Sequence, residues 1–230
     1  MTAAPFVRPV IRPDADILAR VPGLCLGLMA HEVEVEPSRP DCRDYLDNDL
    51  SPRLLARMEQ EPLAQWPNLG PSRAACKACG KDPGRYRISS EALYRRLKQG
   101  KGLYAINSVV DANNVASLET GFSLGSYTLT SLQGDIVFRR GQAGETYEGI
   151  GKGGLNLEHL PLLADALGPF GSPVSDSTRA LVDERTRLCL TVIYGFDGKA
   201  PVEAALRTSA VLFARFCRCR PLCEPWCVQG

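Results

Sequence analysis

The sequence predicts an α+β fold, a mixed sheet flanked by helices. Strand-like and helix-like segments are interspersed without the strict alternation of a βαβ protein. Leu24–Glu36 and Cys189–Tyr194 carry strand patterns, while Ala200–Arg215 carries a helical one. Hydrophobic residues make up 44% and charged residues 23% of the 230 residues, ordinary proportions for a chain that buries a core.

Residues 1–22 are punctuated by proline and arginine, with Asp14 or Asp16 able to cap a short turn. In Leu24–Glu36, LCLGLMAHEVEVE, the second half alternates apolar and polar residues as a half-buried strand does. Pro37–Asp47 reads as polar turns. Leu50–Glu61 is a helix on Leu54, Leu55 and Met58, with Ser51 as its cap and Pro52 at its first position. Pro62–Pro71 reads as a loop, and Ser72–Cys79 as a short helix closed by Gly80. Lys81–Tyr86 is a turn, and Ser89 caps a helix that stops at Gly100. A short strand from Leu103 leads into a helix begun by Ser108 and Asp111 and ended by Gly121. Gly134–Arg140 and Thr146–Ile150 read as a hairpin. His159–Ala166 fits either strand or helix, and Gly168–Thr178 is a loop. Ala200–Arg215 puts Val202, Ala205, Leu206, Ala210 and Phe213 on one side. The expected organisation is one domain over residues 1–216 and a flexible Cys-rich tail over 217–230.

Net charge is +1, which does not indicate a strongly basic DNA-binding domain. The N-terminal stretch has no continuous apolar segment, so no secretory signal is expected. No apolar run approaches the roughly 18 residues of a membrane span. The expected setting is therefore cytoplasmic, with no membrane or DNA partner. An odd count of nine cysteines without a signal argues against a disulfide framework. Only two histidines are present, which removes multi-His metal sites.

Few motifs carry chemistry. Gly149–Gly154, GIGKGG, satisfies G-x-G-x-x-G but lacks the following helix of a dinucleotide site, so a tight turn is the reading. Its glycines still let backbone approach a ligand. Cys217, Cys219, Cys223 and Cys227 offer four thiolates to zinc, although their spacing is not that of paired knuckles. No cofactor is otherwise expected. His31, alternating with apolar residues, reads as structural. Arg85, Arg87, Arg95 and Lys101, interleaved with Tyr86 and Tyr94, suit an RNA backbone with unstacked bases, or a solvated helix face. Gly171–Arg179, GSPVSDSTR, presents hydroxyls around Asp176, as a polar site or as a Ser/Thr turn. Asn113 and Asn114 stand together inside a helix, where asparagine is a poor former, and are either exposed or employed.

Three segments in order resemble a known family: KDPGRYRISSEALYRRLKQGKGLYAINSVVDANNVASLETGFSLGSY, GDIVFRRGQAGETYEGIG and GPFGSPVSDSTRALVDERT. They are similar to freestanding relatives of the tRNA-binding editing module of the phenylalanyl-tRNA synthetase beta subunit, from about Asp82 to Val192. That resemblance implies a mixed α/β fold with a pocket between sheet and loops. It also implies hydrolysis of an amino acid ester wrongly attached to tRNA. The module's polar pair falls on Asn113 and Asn114, and its histidine position falls on Gly125. Its catalytic glutamate falls near Thr178, where Asp176, Ser175 and Ser177 stand instead. The wall that screens the amino acid falls near Thr191–Tyr194. No aminoacyl-adenylate motif of a synthetase is present, so no ligase activity is expected.

The expected function is a tRNA-binding protein that hydrolyses mischarged aminoacyl-tRNA in trans. Asp176, Ser175, Ser177 and Thr178 would be catalytic. Asn113, Asn114, Gly125, Ser126, Gly153, Gly154, Ser172 and Tyr194 would bind the substrate. Arg85, Arg87, Arg95 and Lys101 would contact phosphates. The alternatives are a non-catalytic RNA-binding module and a pocket for an amino-acid-like small molecule.

Overall fold

The computed structural model describes residues 6–230; the expectation about a leader rests partly on residues 1–5, outside the described residues. In chain order the elements are β1 (Ile11–Pro13), α1 (Ala15–Arg20), β2 (Cys25–Glu34), α2 (Pro40–Tyr45), α3 (Ser51–Gln60), α4 (Leu69–Ala78) and α5 (Ser89–Lys98). Then come α6 (Ser108–Thr120), β3 (Ser123–Thr128), β4 (Ile136–Arg140), β5 (Thr146–Gly149), β6 (Gly153–Asn156), β7 (Pro161–Asp165) and β8 (Gly168–Gly171). The last are β9 (Leu188–Gly195), α7 (Lys199–Phe216), β10 (Arg218–Pro221) and β11 (Trp226–Val228).

The main sheet is antiparallel. β10 and β11 both pair with β2, β2 pairs with β9, and β3 is its far edge. A second sheet has the order β1-β4-β7-β8, with β1 parallel to β4. β5 and β6 form a separate ribbon. The fold is thus mixed α+β, as expected.

Strand alternation decides which side chains meet which layer. Cys25, Met29 and Val33 of β2, with Cys189 and Ile193 of β9, pack under α6 and α7. Leu26 and Leu28, with Leu190, Val192 and Tyr194, point the other way, onto Phe138, Leu163 and Phe170 of the second sheet. Both faces of β2 and β9 are covered, which is why LCLGLMA and CLTVIY read as unbroken apolar runs. Each buried leucine or valine contributes about 1.5–3 kcal/mol of transfer free energy.

Helix α6 lies deep between α5, α7 and β3. Val109, Ala112, Val115, Ala116 and Leu118 are all buried, and none of its residues is fully exposed. Its cap is Asn107, whose side chain accepts from the Val110 amide, rather than the expected Ser108. Ser108 instead turns its hydroxyl to the Glu36 amide. Gly121 ends the helix at φ 77°, as expected.

Several local expectations are corrected. Pro37–Asp47 holds α2, because Pro40 occupies a first helical turn and Cys42, Leu46 and Leu50 bury. The chain is already helical before Ser51, so that residue does not cap α3. The residues from Leu103 to Asn107 form no strand. The two halves of the expected hairpin do not pair with each other. β4 lies between β1 and β7, and β5 pairs with β6. The ambiguous segment is β7, and the loop after it begins as β8. Within the expected tail, β10 and β11 hydrogen-bond to β2 and extend the main sheet. Among the described residues no helix is long and apolar enough to cross a membrane.

Candidate functional site

The loop that follows β8 is built around Ser172. Its buried hydroxyl donates to the Ser175 carbonyl at 2.8 Å and accepts from the Val174 and Ser175 amides. The Tyr147 hydroxyl of β5 reaches Ser172 Oγ at 3.2 Å and donates to the Ser175 carbonyl. Ser177 Oγ accepts from the Arg179 amide and caps the next turn. The β5–β6 turn sits against the same loop, through the Ile150 amide to the Asp176 carbonyl at 2.9 Å and the Gly149–Ser177 bridge. GIGKGG is therefore a tight turn, with Gly151 at φ 68°, as its sequence suggested.

These contacts fix Asp176. Its Oδ1 accepts from the Tyr127 hydroxyl at 2.6 Å and from the Ser172 amide at 3.2 Å. Tyr194 lies behind, its hydroxyl on that of Tyr127. Oδ2 has no hydrogen-bond partner among the described residues and is not sealed from solvent. Burial raises the carboxyl from 3.8 to about 6, against the opposing pull of the Tyr127 hydroxyl, the Ser172 amide and Lys152. Burial, and then the Asp176 charge, hold both tyrosines well above their ordinary value, so they remain neutral donors.

Lys152, at the tip of the β5–β6 turn, donates to the Val174 carbonyl at 3.1 Å. Burial lowers its pKa, Asp176 partly restores it and Arg87 lowers it further. Tyr127, Tyr147 and Lys152 were not singled out from the sequence. Only the fold brings Tyr127 to Asp176.

At Gly125, the expected position of a histidine, no side chain fits. A Cβ there would overlap the Tyr127 hydroxyl, and one on Gly171 would meet it from the other side. The phenol fills the space that a side chain at Gly125 would need.

The expected site does not assemble as one constellation. Asn113 is buried on the opposite face of the main sheet. Its amide donates to the Leu124 carbonyl at 3.3 Å, and its oxygen accepts from Ser126 Oγ at 3.0 Å, which also meets Thr191 Oγ1. Ser126 and Tyr127 are neighbours on β3 and so point to opposite faces. Asn114 faces a crevice formed with Cys42, Arg43, Leu46 and Leu103, away from Asp176. Tyr194 is fully buried and forms no wall open to a ligand. Gly153 and Gly154 are exposed on β6, and Thr178 is exposed at the end of the loop.

The basic residues are placed unequally. Arg85 and Lys101 are exposed. Arg95 donates to Glu91 at 2.8 Å, and Arg87 stands 3.9 Å from the same carboxylate. Tyr94 is buried, with its hydroxyl on the Leu118 carbonyl, so it offers no stacking face. His31 is stacked on Phe213, and burial lowers its pKa to about 4, in keeping with a structural role.

The four tail cysteines do not converge. Cys219 lies opposite Val33 and Cys227 opposite Gly27, at separate positions along β2, while the Cys217 thiol meets the Ser108 carbonyl. Among the described residues no three His, Cys, Asp or Glu are grouped to hold a metal ion.

The family model described as the B3/4 domain matches residues 72–217. No curated protein matches the chain. Among solved structures, it is similar to an N-terminal fragment of the phenylalanyl-tRNA synthetase beta-subunit from Pyrococcus horikoshii, at 13% identity and a TM-score of 0.46. That alignment covers 99% of this chain and 52% of the fragment, so the chain spans about half its length.

Proposed function

The chain belongs to the B3/4 domain family, and from that premise we propose that it binds tRNA and hydrolyses mischarged aminoacyl-tRNA in trans. The observation that carries the reaction is Asp176. Its inner oxygen is held by Tyr127 and Ser172, its outer oxygen meets solvent, and its pKa is raised to about 6. A carboxylate of that basicity is suited to general-base work near neutral pH.

In the proposed reaction Oδ2 removes a proton from water as the water oxygen bonds to the ester carbonyl carbon. The bond to the ribose oxygen then breaks, and the proton held by Asp176 passes to that oxygen. The oxyanion requires a donor. Lys152, whose ammonium donates to the Val174 carbonyl of the Asp176 loop and feels the Asp176 charge, is the proposed source of that stabilisation. Ser175, with Gly153 and Gly154 at the start of β6, offers polar groups and open backbone to the terminal ribose. Asn113 and Ser126, on the other face of the sheet, are assigned to holding α6 on β3.

Deacylation of a panel of mischarged tRNAs tests the proposal. Hydrolysis of at least one pair above background, lost in Asp176→Asn, is the expected result. No hydrolysis of any pair overturns it. One observation favours the second reading, RNA binding without catalysis: Tyr127 occupies the space beside Gly125 that a side chain would need. Salt-dependent tRNA affinity with no deacylation would select that reading.

A further inference from the structure

Glu91, in the first turn of α5, is nearly enclosed, with 4% of its side chain exposed. Arg73 of α4 donates to its Oε2 at 2.7 Å, and Arg95 donates to its Oε1 at 2.8 Å. Arg87 approaches Oε1 at 3.9 Å, beyond hydrogen-bond reach. One carboxylate thus anchors two guanidinium groups and stands at ion-pair distance from a third, leaving an excess of two positive charges.

Each of those arginines is 37–48% exposed at the side chain. Arg73 meets Glu91 through Nη1 alone and Arg95 through Nε alone. Their other N–H groups, and all those of Arg87, have no hydrogen-bond partner among the described residues. A pair serving stability alone would need one arginine, and the additional ones repel each other. Two guanidinium groups held by hydrogen bonds and a third at ion-pair distance, each with N–H groups to spare, suit phosphate oxygens.

The surface continues on both sides. Beside Arg73 a cleft of about 640 Å³ is lined by Lys77 and Lys81 as well as by Asp82. Lys81 is committed to the Asn156 and Glu158 carbonyls and to the Tyr86 ring, whereas Lys77 is exposed. On the other side, the Ser89 amide donates to the Pro173 carbonyl at 2.7 Å, tying the start of α5 to the Asp176 loop. Arg87 lies near enough to Lys152 to act on its charge.

We infer that Arg73, Arg87 and Arg95, preorganised on Glu91, form a phosphate-binding surface that leads the backbone of tRNA toward the Asp176 loop. The inference rests on the proposed tRNA reading and specifies its binding face. Arg73 is the addition that the fold supplies. Glu91 is the positioning residue, and Lys101, at the far end of α5, lies outside the surface.

The test is fluorescence anisotropy of a labelled tRNA transcript across a series of salt concentrations. Arg73→Gln/Arg87→Gln/Arg95→Gln keeps amide donors for Glu91 and removes three charges. Its log–log salt slope is expected to fall by about 2 units, with affinity at ~100 mM salt reduced by roughly 10-fold or more. Arg87→Gln alone breaks no hydrogen bond and should lower the slope by about 0.7–0.9, whatever the stability of the triple variant. Wild-type and Arg87→Gln proteins binding tRNA with equal slope and affinity overturn this surface while leaving the tRNA reading standing. No tRNA affinity in the wild type overturns both.

Discussion

Replacing Asp176 with asparagine should stabilise the protein at neutral pH while removing the proposed deacylation. The Asn oxygen can still accept from the Tyr127 hydroxyl and the Ser172 amide, so the loop keeps its anchor. What disappears is a partly buried charge. The carboxyl titrates at about 6 in the fold, against an ordinary value of 3.8, chiefly because burial disfavours its ionised form. The folded state therefore holds the proton more tightly than the unfolded chain. Stability attributable to this group is highest below the unfolded pKa and falls as pH rises through the folded value. A shift of about 2 units corresponds to about 3 kcal/mol, an upper bound because Oδ2 meets solvent. Urea unfolding of wild type and Asp176→Asn between pH 4 and 7 measures the difference. The variant's advantage should grow over that interval and level off above about pH 6. A difference independent of pH, or a variant less stable than wild type at pH 7, would refute the burial argument. In the deacylation assay the same variant should lose about 100-fold or more, the usual contribution of a general base. The wild-type rate should rise with pH through about 6 as the carboxylate forms.

Gly125→Ala should cost about 1–3 kcal/mol by overpacking the Tyr127 phenol, and Tyr127→Phe in the same chain should recover part of it in thermal melts. Tyr127→Phe alone should raise the Asp176 pKa further, because it removes a donor that favours the carboxylate, and the deacylation pH profile should move upward with it. Asn113→Ala should lose about 1–3 kcal/mol in denaturant unfolding, since the Leu124 carbonyl and the Ser126 hydroxyl lose a partner beneath α6. Asn114→Ala, half-buried against the α2 crevice, should stay within about 0.5 kcal/mol of wild type in the same assay.

The sequence determined the elements whose signals are local. The apolar runs of β2 and β9, the amphipathic α7 and the stop of α6 at Gly121 all depend on side-chain periodicity or on one residue's backbone freedom. The three segments carrying the family resemblance were legible as strings of residues, as was the dense hydroxyl loop around Asp176. Asn107 could have been found as a cap by its residue type, one position before Ser108.

Tertiary structure alone decided the partners. β4 pairs with β1 and β7 across long stretches of chain, and no local pattern specifies that choice. The tail becomes part of the sheet because β2 offers its free edge. Asn113 and Asp176 fall on opposite faces because Ser126 and Tyr127 alternate on β3, a sorting fixed only once the strand has found its place. Arg87 and Arg95 flank Glu91 at four-residue spacing and were within local reach, whereas the pKa of Asp176 and the docking of Arg73 on Glu91 belong to the same class as the strand pairings. Both come from burial and proximity between residues remote in sequence, and neither quantity exists until the chain has folded.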